Sequence, residues 1–133
     1  MYVPGTDGHK MSKSRGNLVL VSRLREDGVD PMVIRLVLLA QHYRTDWDYT
    51  PELLAAAQTR FERWREALSV NTAPSGDETV AEIRAALSDD LDAPRAVAAM
   101  DTWSEATLTT GGDEASAPGV LGRALDALLG VRF

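Results

Sequence analysis

The sequence has 133 residues, of which 44% are hydrophobic and 26% charged, and its formal net charge is -6. This length suits one medium domain or the tail of a larger protein, and the composition is typical of a soluble globular protein. No apolar run approaches the roughly 20 residues that span a membrane, and no signal peptide is recognisable, so we expect a cytoplasmic protein. The sequence contains no cysteine, which excludes disulfide bonds and thiolate metal sites built from this chain alone.

The charge is unevenly distributed along the sequence. Residues 1–25 contain five basic residues and one acid, a net charge of +4, whereas residues 75–116 contain ten acids and two arginines, a net charge of -8. An anionic ligand would be attracted to the first of these regions, and a long polyanion would be repelled by the second. Small phosphates therefore suit this chain better than extended nucleic acid.

The first feature in chain order is the polar loop GHKMSKSRGN, residues 8–17. It combines the ammonium groups of Lys10 and Lys13 with the hydroxyl groups of Ser12 and Ser14, and a glycine near each end lets it bend close to a ligand. Such a loop can surround a triphosphate and stabilise the charge that develops as pyrophosphate leaves. Similar residues occur in solvated basic turns, nuclear-targeting patches and phosphorylation sites, so their spacing alone leaves the chemistry open.

Two helices are predicted in the first half of the sequence. Residues 18–24, LVLVSRL, are expected to form a short extended segment, with the start of a helix as the alternative. The first helix is expected over residues 31–43, because Asp30 is a good N-cap and Pro31 fits the first helical position. The second is expected to begin in the same way at Thr50 and Pro51 and to bury an apolar stripe: Leu53, Leu54, Ala57, Phe61, Trp64 and Leu68.

Three further helices are expected after the loop at residues 71–78. They cover residues 78–91, residues 92–108 with Asp92 as N-cap, and residues 116–130 with Gly130 as the stop signal. The tryptophan, phenylalanine and methionine side chains on the helical stripes are expected in the core. Three acids, Asp89, Asp90 and Asp92, allow either a divalent-cation site or an ordinary loop with a helix cap. The pattern predicts a mostly α protein, a small helical bundle that follows a basic loop.

The segment KMSKS at residues 10–14 is identical to the second signature of class I aminoacyl-tRNA synthetases. The stretch that follows it, up to HYRTDWDYT, and the later LSDDLDAPRAVAAM resemble the cysteinyl-tRNA synthetase group. This resemblance implies the C-terminal helical bundle of a class I aminoacyl-tRNA synthetase-like enzyme, preceded by the KMSKS loop at the end of a largely absent Rossmann-type catalytic domain. Residues 1–28 would then close the nucleotide-binding domain, and residues 29–133 would form the helical bundle.

The resemblance also assigns roles to residues of the loop. Lys10 and Lys13 match the catalytic lysines of the signature, and the five residues Lys10, Met11, Ser12, Lys13 and Ser14 match the segment that contacts the ATP phosphates. Lys13 is expected to be the stronger contact in the transition state, and Met11 to anchor the loop by packing. The family letters His42, Tyr43 and Arg44 are expected either to pack against and cap a helix end or to contact substrate.

Two kinds of enzyme belong to this group: cysteinyl-tRNA synthetases, and the ligases that join cysteine to glucosaminyl-inositol in mycothiol synthesis. The segments GNLVLVSRLREDGVDP, HYRTDWDYT and ALDALLGVRF favour the ligases. The implied partners are ATP as a substrate, L-cysteine and glucosaminyl-inositol, with tRNA as the acceptor if the synthetase alternative holds. A non-catalytic helical interaction module remains a third interpretation.

Two parts of the implied enzyme are missing from the sequence. The first signature, a HIGH-type sequence, does not occur, and the resemblance implies a zinc ion for which this cysteine-free chain has no ligands. We therefore expect that the chain neither binds cysteine nor forms an adenylate alone.

Overall fold

Helices follow one another along the part of the chain that the structure describes. The structure, a computed structural model, describes residues 21–42 and 46–133. Residues 21–26 are helical (α1) and precede α2 (Pro31–Leu39), α3 (Pro51–Leu68), α4 (Asp77–Ser88), α5 (Ala93–Thr109) and α6 (Ala117–Ala124), which continues into a π-helical turn, Leu125–Leu129. Within the described ranges no strand is present, so the predicted mostly α class is confirmed. None of the helices described is long and apolar enough to cross a membrane.

The three predicted cap-and-proline helix starts are confirmed. The side chain of Asp30 accepts a hydrogen bond from the Met32 amide at 2.8 Å, and the hydroxyl of Thr50 accepts one from the Leu53 amide at 3.3 Å. Asp92 accepts one from the amide of Arg95 at 3.2 Å. Each cap satisfies an amide that has no partner inside its own helix, and a proline follows within the first two helical positions.

Two predicted helix ends are wrong, and a third is correct although the helix changes its geometry before it. The helix expected to run to residue 43 ends at Leu39, where the amide of Ala40 bonds to the carbonyl of Leu36. The helix expected to run to residue 91 ends at Ser88, because Asp90 and Leu91 take left-handed backbone angles, with φ of 55° and 53°. The helix expected over residues 116–130 changes to π-helical geometry at residue 125, and Gly130 ends it with φ of 68°, as predicted.

The core lies where α3 and α5 face each other, with α2, α4 and α6 packed around them. Trp64 has no exposed surface, and its indole N–H donates to Asp101 at 2.8 Å. The indole of Trp103 donates to the Pro74 carbonyl at 2.9 Å. Burial of an aromatic side chain with its polar atom satisfied is strongly stabilising, so the predicted core role of these residues is confirmed.

The loops before α4 and after α5 pair with each other. Ala73 and Glu114 exchange two backbone hydrogen bonds, at 2.9 and 3.0 Å, as an isolated antiparallel bridge. Gly112 lies so close to this bridge that a Cβ placed on it would be 2.3–2.6 Å from backbone atoms of Ala73 and Pro74. Only glycine fits this position without moving the backbone.

Replacing Gly112 with alanine should therefore destabilise the fold by about 1–3 kcal/mol, the usual cost of overpacking a tight contact. The matched control is Gly122→Ala, since Gly122 lies inside α6 and a Cβ there would meet no atom within 4 Å. That substitution should stabilise the chain by about 0.5–1 kcal/mol. Urea unfolding followed by circular dichroism measures both changes, and equal midpoints for the two variants would contradict the assigned close contact.

Arg95 at the start of α5 links α5 to α4 through an ion pair. Its guanidinium donates to Glu82 at 2.6 Å, and a second nitrogen lies 3.5 Å from a carboxylate oxygen of Asp89. The hydrogen bond from Arg95 lowers the pKa of the Glu82 carboxyl below 4.5, with an added contribution from the arginine charge, although partial desolvation opposes the shift. The same pair raises the pKa of Arg95.

A carboxyl whose pKa is lowered by folding stabilises the folded state above its unfolded pKa and loses that contribution as pH falls through the folded value. Glu82→Gln should therefore lower the urea midpoint at about pH 7, and the difference from the unaltered chain should disappear as the pH falls through the folded-state pKa of Glu82. The effect should be small because both side chains are 40% or more exposed. Glu66→Gln, at an exposed position of α3, is the control, and a difference independent of pH would contradict the assignment.

Candidate functional site

The predicted phosphate loop lies outside the described residues. This applies to Lys10, Met11, Ser12, Lys13 and Ser14, whose assignments stay predictions. The expected boundary between residues 28 and 29 also stays a prediction. The structure does describe the segments that follow the loop in the sequence, α1 and the turn to α2, together with the helices against which they pack.

The chain enters the bundle as a helix. Residues 21–24, expected as part of an extended segment, are helical, whereas residues 18–20 lie outside the described part. The helix closes at its C-terminal end through hydrogen bonds from the Asp27 amide to the Arg23 carbonyl and from the Val29 amide to the Leu24 carbonyl, at 3.1 and 3.0 Å. Gly28 between them has φ of 80°, which is why a glycine ends this helix. The alternative interpretation, the start of a helix, is therefore correct for residues 21–24, among which Leu24 is buried.

A small apolar cluster holds α1 against the bundle. Leu24 of α1 and Ile34 of α2 are 5% and 4% exposed and form its centre. Five partly buried side chains surround them: Val21, Val29, Trp47, Tyr49 and Leu54. Burial raises the pKa of the Tyr49 phenol, and the nearby charges of Asp27 and Glu52 raise it further. The phenol therefore stays protonated, as a hydrogen-bond donor, near neutral pH.

A groove of about 330 Å³ borders the turn between α1 and α2. Its walls come from the turn and from the facing sides of α2 and α3: Asp27, Gly28, Val29, Asp30, Val33, Gln58, Phe61, Glu62 and Arg65. The carboxylates of Asp27 and Glu62 and the amide of Gln58 can accept hydrogen bonds from hydroxyl or amino groups. Three acids against one arginine make the groove unsuited to phosphate, so anion binding remains assigned to the lysines of the loop.

The predicted carboxylate cluster is not a metal site in the described structure. Asp92 caps α5, and Asp89 lies beside Arg95. Asp90 lies 4.0 Å from the imidazole Nε2 of His42, which follows the last turn of α2. No group of three or more potential metal ligands is found among the described residues. The alternative of a loop with a helix cap is therefore correct for Asp92.

His42 is the described member of the predicted HYR triplet, since Tyr43 and Arg44 lie outside the described residues. Its side chain is 25% exposed and faces Asp90 in the loop between α4 and α5. This contact joins the end of α2 to the loop before α5. It agrees with the expected packing role at a helix end.

Sequence reasoning missed a polar cluster between α3 and α5. Asp101 accepts hydrogen bonds from both Arg60, whose Nε lies 3.0 Å from each carboxylate oxygen, and Trp64. A second arginine nitrogen lies 3.0 Å from the same carboxylate. Helical periodicity places Arg60 and Trp64 one turn apart on α3, but their partner comes from another helix and could not be read from local spacing.

Comparison with known proteins shows which proteins this chain resembles. A family model described as the tRNA synthetases class I (C) catalytic domain matches residues 4–59. The chain is 60% identical over 130 residues to the L-cysteine:1D-myo-inositol 2-amino-2-deoxy-alpha-D-glucopyranoside ligase of Sanguibacter keddieii. The matched region covers 97% of this chain and 31% of the ligase. Ligases of the same name from Nocardiopsis dassonvillei and Streptomyces griseus are each 55% identical to it, over 97% and 96% of this chain and 32% and 31% of their own lengths.

The chain thus spans about a third of the length of the curated relatives it matches. The identity extends over nearly every residue of the chain, so common ancestry rather than a shared short motif explains it. The chain is therefore similar to these ligases over nearly its whole length, and to the class I (C) tRNA synthetases over residues 4–59, as its sequence predicted.

Proposed function

We propose, on the premise of this similarity, that the chain is the part of an ATP-dependent cysteine ligase that carries the ATP-phosphate loop and the adjoining helical bundle. In the proposed reaction the carboxylate of L-cysteine attacks the α-phosphorus of ATP, which forms cysteinyl-adenylate and releases pyrophosphate. The amine of glucosaminyl-inositol then attacks the activated carbonyl carbon, which forms an amide and releases AMP. The observation that carries the proposal is the 60% identity to a ligase of that name, over 97% of a chain that contains KMSKS at residues 10–14.

The proposed roles within the loop follow from charge. Negative charge increases on the bridging and terminal oxygens as pyrophosphate departs, and an ammonium group that approaches only then stabilises the transition state more than the ground state. Lys13 takes this role, and Lys10 with the hydroxyls of Ser12 and Ser14 holds the phosphates. In the described structure α1, which follows the loop in the sequence, is packed on α2 through Leu24.

The remaining parts of the proposed reaction lie outside this chain. Zinc would bind the thiol of the substrate cysteine, and we assign its ligands to other parts of the longer enzyme because this chain has no cysteine. We place the reaction in the cytoplasm, where ATP is available.

A chimera tests the proposal directly. In the Sanguibacter keddieii ligase, this chain would replace the matching 130 residues. The chimera should catalyse cysteine-dependent exchange of pyrophosphate into ATP and should couple cysteine to glucosaminyl-inositol. A folded chimera that binds ATP but catalyses neither step would contradict the proposed function.

The isolated chain should not catalyse the exchange, because the lysines of one loop cannot orient both ATP and cysteine for in-line attack. The same assay, performed at equal concentrations of chimera and isolated chain, measures this. Cysteine-dependent exchange by the isolated chain would show that the chain contains a complete adenylation site, contrary to this prediction.

A second candidate is a part of a cysteinyl-tRNA synthetase, and the description of the family model that matches residues 4–59 favours it. The adenylation step is the same, and only the acceptor differs. The acidic residues 75–116, with a net charge of -8, disfavour contact with a polyanionic acceptor. Attachment of cysteine to tRNA by the chimera, with no product from glucosaminyl-inositol, would establish this second candidate instead.

A further inference from the structure

The segment that begins with the last residue of the π-helical turn, residues 129–133, folds back across α2 and α3, and we call it the strap. Val131 is fully buried in the core. The ring of Phe133 stacks on that of Phe61 in α3, with centroids 4.8 Å apart and an interplanar angle of 15°. The backbone amide of Arg132 donates to the sulfur of Met32 in α2 at 3.3 Å. The strap therefore contacts both helices that follow the predicted loop.

Arg35 makes the most specific of these contacts. It lies one turn after Met32 on α2, so the two side chains share a face of the helix. Its Nε donates to the backbone carbonyl of Leu129, 94 residues later in the chain. That carbonyl belongs to the last turn of the π-helical segment, where a cation is favoured by the helix dipole and a charged donor forms a strong hydrogen bond.

Gly130 has no side chain, and the guanidinium of Arg35 lies in the space that a side chain would occupy. Its φ of 68° is a left-handed conformation, and a Cβ placed on it would lie 2.7–2.9 Å from three guanidinium atoms of Arg35. The glycine was predicted from the sequence as a helix stop. The structure adds a second requirement, because the arginine of α2 occupies the space that a larger residue would need.

The orientation of α2 in turn determines that of α1. The two helices are joined by a four-residue connection, residues 27–30, whose Val29 amide bonds to the Leu24 carbonyl. Leu24 also packs against Ile34 of α2 in the small apolar cluster. A rotation or shift of α2 would therefore move α1, which is the described end of the segment that leads from KMSKS.

We propose that Arg35 is a positioning residue for α1, the helix that follows the KMSKS segment in the sequence: by clamping α2 to the strap at Leu129 and Gly130, it holds α1 in place. This inference rests on the proposed function for its catalytic consequence. The clamp itself is a property of the described helices and can be tested without activity.

The test is amide hydrogen exchange of the 133-residue chain. In Arg35→Ala the amides of residues 24–29 should exchange about tenfold faster, the size expected from losing one charge-assisted hydrogen bond. Arg35→Lys should restore most of the protection, because an ammonium can still donate to the Leu129 carbonyl. Gly130→Ala should act like Arg35→Ala, since its Cβ displaces the guanidinium.

The matched control is Arg132→Ala. This arginine also belongs to the strap, but its side chain is 79% exposed and pairs only with Asp126 in the described structure. Its removal should leave exchange at residues 24–29 unchanged. The inference is overturned if Arg35→Ala leaves these amides unchanged, if Arg132→Ala affects them equally, or if they are unprotected in the unaltered chain.

The catalytic consequence is measured in the chimera. Arg35→Ala should lower kcat for pyrophosphate exchange while KM for cysteine stays unchanged, and Arg35→Lys should recover kcat. Unchanged kcat would overturn the positioning role. A chimera without any activity even when Arg35 is present would instead contradict the proposed function, and the exchange experiment would still decide whether the clamp exists.

Discussion

Replacing Trp64 with alanine should destabilise the chain by about 3–5 kcal/mol, the usual cost of removing a large aromatic side chain from a core. Trp64 has no exposed surface and lies where α3 and α5 meet. Its loss would leave a cavity between them and would also deprive Asp101 of the indole donor. Because domains of this kind are stable by only about 5–15 kcal/mol, this single change should remove a large part of the total.

Two other variants separate the contributions to this loss. Trp64→Phe keeps most of the apolar volume but removes the hydrogen bond to Asp101, so it should cost less than the alanine variant. Trp47→Ala is the matched control, since Trp47 is only partly buried at the edge of the core. Urea unfolding followed by circular dichroism measures the change in the free energy of unfolding for all three variants. A loss for Trp64→Ala no larger than that for Trp47→Ala would show that α3 and α5 do not form the centre of the fold.

In the chimera, Lys13→Ala should slow adenylate formation by about 10²–10³-fold, the typical effect of removing one group that stabilises developing negative charge. Binding of cysteine should change little, because the ammonium acts on the phosphates. The rate of cysteine-dependent pyrophosphate exchange measures the first effect, and KM for cysteine measures the second.

Arg25→Ala is the control for the loss of a positive charge. Arg25 is an exposed residue of α1, close in sequence to the loop but outside the KMSKS signature. Its replacement should change the exchange rate much less than Lys13→Ala. Equal rates for the two variants, or an unchanged rate in Lys13→Ala, would remove the specific role of Lys13 from the proposed mechanism.

Local sequence signals were sufficient for most of the helices. Asp30, Thr50 and Asp92 were recognisable as caps because a short polar side chain before a proline satisfies free amides without any distant partner. The helix ends were less predictable. The end at Ser88 depends on left-handed backbone angles at Asp90 and Leu91, and these angles could not be predicted from the types of the two residues.

The candidate site also has a part that the sequence predicts and a part that it does not. The lysines and serines of KMSKS are predicted from the sequence alone because the motif is contiguous, and since they lie outside the described residues they stay a prediction. The packing of α1 and α2, the helices that follow the loop, was not predicted because it depends on contacts between distant segments. Residues 21–24 were expected to be extended, with the start of a helix as the alternative, and in the structure they are helical with Leu24 packed against Ile34 of α2.

The sequence by itself therefore determined the similarity to these ligases, the mostly helical class, the helix starts and the choice of the residues proposed to meet ATP. These features follow from neighbouring residues, through capping, periodicity and a continuous motif. Only the tertiary structure decided that Arg35 meets the carbonyl of Leu129, that Gly112 lies against Ala73, and that Asp101 joins Arg60 to Trp64. Each of these contacts joins residues far apart in the chain, and their partners are selected by the packing of whole helices.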